Sequence, residues 1–170
     1  MKNRVPLLLL LILTGFTACK NDEQTTGCAE GTNSYLEMNH QTEGSINSGS
    51  SGISSATLLR YNTADEDTLV INFGFDNGNV YSFQAGIPNP SGAGTYTFGN
   101  LSNVVLVWNN TFGACYDLSL TIDAYGNTAE NALNPNLPFV DEIRGSFTGR
   151  FGWSGPDTVN YTGSFCHVLP

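Results

Sequence analysis

Apolar and polar residues alternate along most of this chain, and alternate residues of a strand point to opposite faces of a sheet. Leu69, Ile71, Phe73 and Phe75 fall on one side, with Asn72 and Gly74 on the other. Asp76, Asn77, Gly78 and Asn79 follow. Asn-Gly tolerates positive φ at both turn positions and predicts a hairpin. The returning strand carries Tyr81, Phe83 and Ala85, and Pro88 and Pro90 end it. Residues 94–98 read GTYTF, with Tyr96 and Phe98 in phase. Tyr116, Leu118, Leu120 and Ile122 alternate with Asp117, Ser119, Thr121 and Asp123, which predicts a half-buried strand with one wet face. Ile143, Gly145, Phe147, Gly149 and Phe151 repeat the scheme, as do Val159, Tyr161, Gly163 and Phe165 after a turn at Gly155-Pro156. Glycines inside these last strands point to strong twist, bulges or close backbone approach.

Other segments are less regular. Tyr35, Leu36 and Met38 predict a short first strand, and residues 56–61 a second. Residues 44–55 read GSINSGSSGISS, a run too polar to form a core element, and are expected to be a loop. Val104 to Trp108 is apolar at consecutive positions, which fits a strand covered on both sides or a Trp108 packed beneath a neighbouring loop. Residues 124–138 form a long connection, in which TAENAL at 128–133 is expected to make one or two helical turns before Pro135. The sum is an all-β chain: an antiparallel β-sandwich or partly open barrel of about seven to nine short strands. It forms one domain over residues 34–170, long enough for a single core.

The N-terminus sets the destination. Residues 7–13 read LLLLLIL, preceded by Lys2 and Arg4 and followed by TGFTACK. A charged start, a short apolar run and small residues make an export signal, here residues 1–18. The run is too short to span a bilayer as a lasting anchor. Phe16, Thr17 and Ala18 before Cys19 resemble a bacterial lipobox, with Phe16 standing where leucine is usual. The resemblance implies cleavage before Cys19 and acylation of its thiol. Several acyl chains on one residue anchor firmly where a single chain does not, so the lipid bilayer is the first partner. Residues 19–33 then form the lipidated cysteine and a polar tether. Lys20 with Asp22 and Glu23 resembles the surface-export signal of Bacteroidota lipoproteins. The resemblance implies an outer-membrane location, with the cell surface favoured over the periplasmic face.

Charge narrows the partners. The chain carries a net charge of -9, and beyond residue 18 only Lys20, Arg60, Arg144 and Arg150 face fifteen acids. Nucleic acid needs a basic footprint and is excluded as a partner. Four cysteines are present. With Cys19 acylated, Cys28, Cys115 and Cys166 remain, and export permits a disulfide. Strict strand phase puts Cys115 and Cys166 on corresponding outer faces, so Cys115–Cys166 is the expected bridge, with Cys28 as the competitor. A zinc site with His40 or His167 lacks any C-x-x-C spacing, so no metal is assigned. Asp65, Glu66 and Asp67 lie one strand away from the turn at Asp76, which is a poor arrangement for calcium.

GTYTFG at 94–99, LTID at 120–123 and IRGSFTG at 143–149 resemble a family of small lipoproteins from Flavobacterium-like Bacteroidota, over roughly residues 32–168. The resemblance implies a β fold, anchorage and an envelope location, and carries no reaction with it. The residues themselves hold no G-x-S-x-G, H-E-x-x-H or phosphate-binding motif, and no cofactor is expected. Asp117 and Asp123 share one strand face but lie about 20 Å apart, too far for a glycosidase pair. The expected role is therefore non-enzymatic: a membrane-anchored domain with a binding or structural role, its partner a glycan or an envelope protein. The alternative is a carbohydrate-active enzyme using carboxylates borne on the sheet. Trp153, in the Gly-rich stretch FGWSG, is the candidate ligand-binding aromatic. Thr68 and Thr158 each follow an aspartate and precede an apolar residue, the acceptor pattern of Bacteroidota O-glycosylation.

Overall fold

The computed structural model describes residue 28 and residues 33–49, 52–60, 67–99, 101–152 and 158–169. Cys19 and Trp153 lie outside the described residues, as do Asp65 and Glu66.

Among the described residues, twelve strands make one antiparallel sheet: β1 (Ser34–His40), β2 (Gly44–Asn47), β3 (Ile53–Leu59), β4 (Thr68–Asp76), β5 (Val80–Pro88), β6 (Gly94–Phe98), β7 (Leu101–Trp108), β8 (Thr111–Tyr125), β9 (Thr128–Ala129), β10 (Phe139–Val140), β11 (Glu142–Gly152) and β12 (Thr158–Val168). The spatial order is β2-β1-β12-β11-β8-β7-β5-β4-β3-β10-β9, with β6 also on β8. The sheet curls into a partly open half-barrel. Its inner surface holds the expected alternating residues, Leu69, Ile71 and Phe73 of β4 facing Phe147 and Phe165 of β11 and β12. Phe83 stacks on Phe147 with ring centroids 4.1 Å apart, and Phe73 meets Phe165 at 4.8 Å. These contacts cross the interior and hold the two halves of the curl together. Where the ends of the curl approach, Ser54 Oγ of β3 lies 2.7 Å from His167 Nδ1 of β12. Burial pushes the His167 pKa down, so the neutral ring suits this seam.

Several expectations change. The polar run at 44–55 is not all loop, because β2 and the first residues of β3 form there. β2 gains its place by pairing with β1 through Met38↔Ile46, an edge pairing that composition does not reveal. TAENAL is not helical: Thr128 and Ala129 pair with β10, and Asn131 braces the next turn by accepting from Leu133 N at 3.0 Å. Trp108 does pack beneath a loop. Its indole Nε1 donates to Glu43 Oε2 at 2.7 Å, in the turn between β1 and β2. The backbone amides of Thr42 and Glu43 donate to His40 Nδ1 at 3.1 and 3.0 Å, which fixes the shape of that turn.

The largest correction concerns the cysteines. Cys166 is bonded to Cys28, with Cα atoms 5.6 Å apart, and Cys115 is a free, buried thiol. The reason is a β-bulge. Arg150 of β11 faces Asp117, but the next residue, Phe151, faces Cys115, so Tyr116 is an extra residue in β8. The bulge reverses the phase of β8. Cys115 points inward like Leu118, while Tyr116 is 39% exposed rather than in the core. Cys166 keeps its outward phase, opposite Arg144 and Tyr35, where the N-terminal segment reaches it. Burial, with the Asp117 charge adding to it, pushes the Cys115 thiol up to about 11. Thiolate is the reactive form. Cys115 is therefore expected to resist iodoacetamide at neutral pH in the folded chain and to react fully after denaturation. Labelling of the native protein followed by peptide mapping checks this.

Candidate functional site

The outward face of six consecutive strands carries an ordered polar surface. Cross-strand register aligns Thr97 (β6), Ser119 (β8), Thr148 (β11), Thr162 (β12), Asn39 (β1) and Ser45 (β2) in one row. A second row, two residues along each strand, contains Thr95, Thr121, Ser146, Ser164, Glu37 and Asn47. All twelve are exposed or half-buried. Neighbours in a row sit about 4.8 Å apart, and the rows about 6.7 Å apart, by strand geometry alone. Thr95 and Thr121 illustrate the closeness, their Oγ1 atoms being 3.1 Å apart. Glu37 is the one charged group in either row, and Tyr35 OH and Ser45 Oγ both donate to it. The two rows are thus nearly uncharged, and the charged groups flanking them on the same face are paired, Arg150 with Asp117 and Arg144 with Glu142.

At one end of the first row the surface opens into a groove of about 430 Å³, lined by Thr97, Phe98, Leu118, Thr148, Arg150 and Asn160 among others. Its cause is the β8 bulge. The neighbour on one side of β8 is β7 up to Cys115 and β6 from Leu118 onward. The ladder is interrupted between them, and half-buried Phe98 borders the opening while Leu118 stays in the core. Arg150 Nε donates to Asp117 Oδ2 at 2.6 Å, its Nη2 joins the same oxygen, and Arg150 N donates to Oδ1 at 3.2 Å. These hydrogen bonds hold the Asp117 carboxyl below the usual carboxylate range and the Arg150 guanidinium above its own. Beside the pair, Asn160 Nδ2 donates to Gln41 Oε1 at 3.1 Å. The groove thus combines a small apolar floor with planar polar groups of no net charge.

Thr68 and Thr158 are both half-buried first residues of their strands, opposite Pro88 and Gly152, and are not brought together by the sheet with the polar rows. Asp67 and Asp76 bracket β4 at opposite ends, so the acidic turns do not converge. Among the described residues no three His, Cys, Asp or Glu side chains cluster in a way that could hold a metal. A second groove, of about 690 Å³, has Ile53, Val80 and Gly74 in its walls and holds Asp76 but no cation. The rows were missed in the sequence because each strand contributes only one polar-x-polar triplet, such as Thr95-x-Thr97 or Ser146-x-Thr148. Recurrence of that triplet in successive strands was the available signal. No family model, no curated protein and no solved structure matches the chain.

Proposed function

We propose that this chain is a membrane-anchored envelope lipoprotein whose outer polar face binds glycan, without catalysing a reaction. The carrying observation is the pair of in-register, nearly uncharged rows of hydroxyl and amide groups across six strands. Such a face offers many hydrogen bonds and little Coulomb attraction, which suits a hydroxyl-rich, uncharged ligand. Anchorage rests on the lipobox-like residues before Cys19 and on the resemblance to Flavobacterium-type lipoproteins. The outer membrane, with cell-surface display, is the location this implies. The Cys28–Cys166 bridge ties Cys28, nine residues beyond Cys19 in sequence, to β12.

The alternative is a carbohydrate-active enzyme. A glycosidase acid must keep its proton near neutral pH, which requires a raised pKa. Arg150 holds Asp117 ionised, and among the described residues lining the groove there is no second carboxylate to serve as the acid, which favours the binding reading.

Two measurements test it. Mass spectrometry of the mature N-terminus is expected to show acylated Cys19, and an unmodified or differently cut start would overturn the anchored reading. On a glycan array, the wild-type chain is expected to bind uncharged glycans, and Thr148→Lys, which puts a long charged side chain in the middle of the first row, to lose at least about tenfold in affinity. Equal binding by both would remove the face from consideration.

A further inference from the structure

We infer that the ligand of this face is an extended, uncharged polymer of sugar-like units, seated at one end in the groove beside the β8 bulge and running across the strands along Thr97, Ser119, Thr148, Thr162, Asn39 and Ser45. The inference rests on the glycan-binding reading and specifies the form of the ligand and its path.

Three features carry it. The groove is amphipathic in the way a sugar ring is. Half-buried Phe98 is the apolar side chain at the groove, and Asp117, Arg150 and Asn160 offer planar donors and acceptors for ring hydroxyls. The Asp117–Arg150 pair is internally neutralised, so the groove has no charge left with which to select an ionic ligand. Beyond the groove, the row continues for three more strands with a polar group at each strand spacing of about 4.8 Å. That interval is close to the advance per ring of an extended β-linked glycan, so each successive ring meets a fresh hydroxyl or amide. Twist decides between a polymer and a flat surface. Adjacent strands rotate by roughly 20–25°, so a rigid plane touches only a few neighbouring strands, whereas a chain with rotatable linkages can follow all six.

The test uses the full chain in detergent-containing buffer and a ladder of uncharged β-linked gluco-oligosaccharides from disaccharide to hexasaccharide, read by calorimetry. Affinity is expected to rise with length, the hexasaccharide binding at least about tenfold more tightly than the disaccharide. Thr162→Ala with Asn39→Ala removes polar groups from the far half of the row. This double variant is expected to abolish the gain with length, so that the hexasaccharide binds no more tightly than the disaccharide. Arg150→Ala, in the groove, is expected to weaken every length alike. Binding that is flat with length, or a gain that survives loss of Thr162 and Asn39, overturns the extended path while the glycan-binding reading stands. If no oligosaccharide in the ladder binds although the array shows other glycans bound, the uncharged extended ligand is overturned alone. If array and ladder are both silent, both readings fall together.

Discussion

Gly163→Ala is expected to destabilise the domain by about 3 kcal/mol, far more than a methyl group on an exposed strand would. Gly163 of β12 lies opposite Phe147 of β11 and opposite Met38 of β1. A Cβ there would stand 2.5 Å from Phe147 Cε1 and 2.5 Å from the carbonyl oxygen of Glu37. The Phe147 ring has no room to withdraw, because it is stacked on Phe83 in the middle of the core. The neighbouring pair repeats the arrangement: Gly145 lies opposite Phe165, and its Cβ would come within 2.7 Å of Phe165 Cζ. Gly163 and Gly145 thus each make space for a ring on the other strand. Urea denaturation of Gly163→Ala checks the size of the effect. Combining it with Phe147→Leu separates the two clashes. Removal of the ring should cancel part of the alanine penalty, and the share from the Glu37 carbonyl should remain. Simple additivity of the two substitutions would contradict this account.

Loss of the Cys28–Cys166 bridge is expected to cost about 4 kcal/mol, or roughly 10 °C in Tm. The two cysteines are 138 residues apart in sequence, so the bridge closes a loop around almost the whole domain. The unfolded chain loses much freedom when a loop of that length is closed. The folded chain loses little by comparison, because β1 and β12 are already neighbours in register. Cys28→Ala and Cys166→Ala should therefore melt at similar, lower temperatures, and reductant should lower the wild-type Tm towards theirs. Cys115→Ser should leave the bridge intact. Non-reducing peptide mapping that joined Cys115 to either partner would contradict the assignment.

Both predictions turn on features only partly legible in the chain. The alternation of Leu69, Ile71, Phe73 and Phe75, the Asn77-Gly78 turn and the glycine-aromatic alternation from Ile143 to Phe151 sufficed for an all-β fold and most of its strands. Strand periodicity and turn chemistry are local, and in these segments the core agrees with them. Gly78 adopts positive φ, at 103°, but Asn77 does not, and Asp76 pairs with Val80 across a three-residue loop rather than a two-residue Asn-Gly turn. The glycines at 145 and 163 could be flagged as sites of close approach, but which rings approach them depends on the β11–β12 register.

Non-local pairing decided the rest. A bulge at Tyr116 inserts one residue, and every inward and outward assignment across it reverses. Nothing in the order Ala114-Cys115-Tyr116-Asp117 announces it, since the extra residue exists only relative to the partner strand. That single displacement buried Cys115, left Cys166 to Cys28 and opened the groove beside Phe98. The polar rows have the same origin. Each Thr-x-Thr or Ser-x-Thr triplet is merely the wet side of one strand. Twelve side chains become one surface because antiparallel pairing brings residues from Glu37 to Ser164 into register, and hydrogen bonding between strands distant in sequence sets that register.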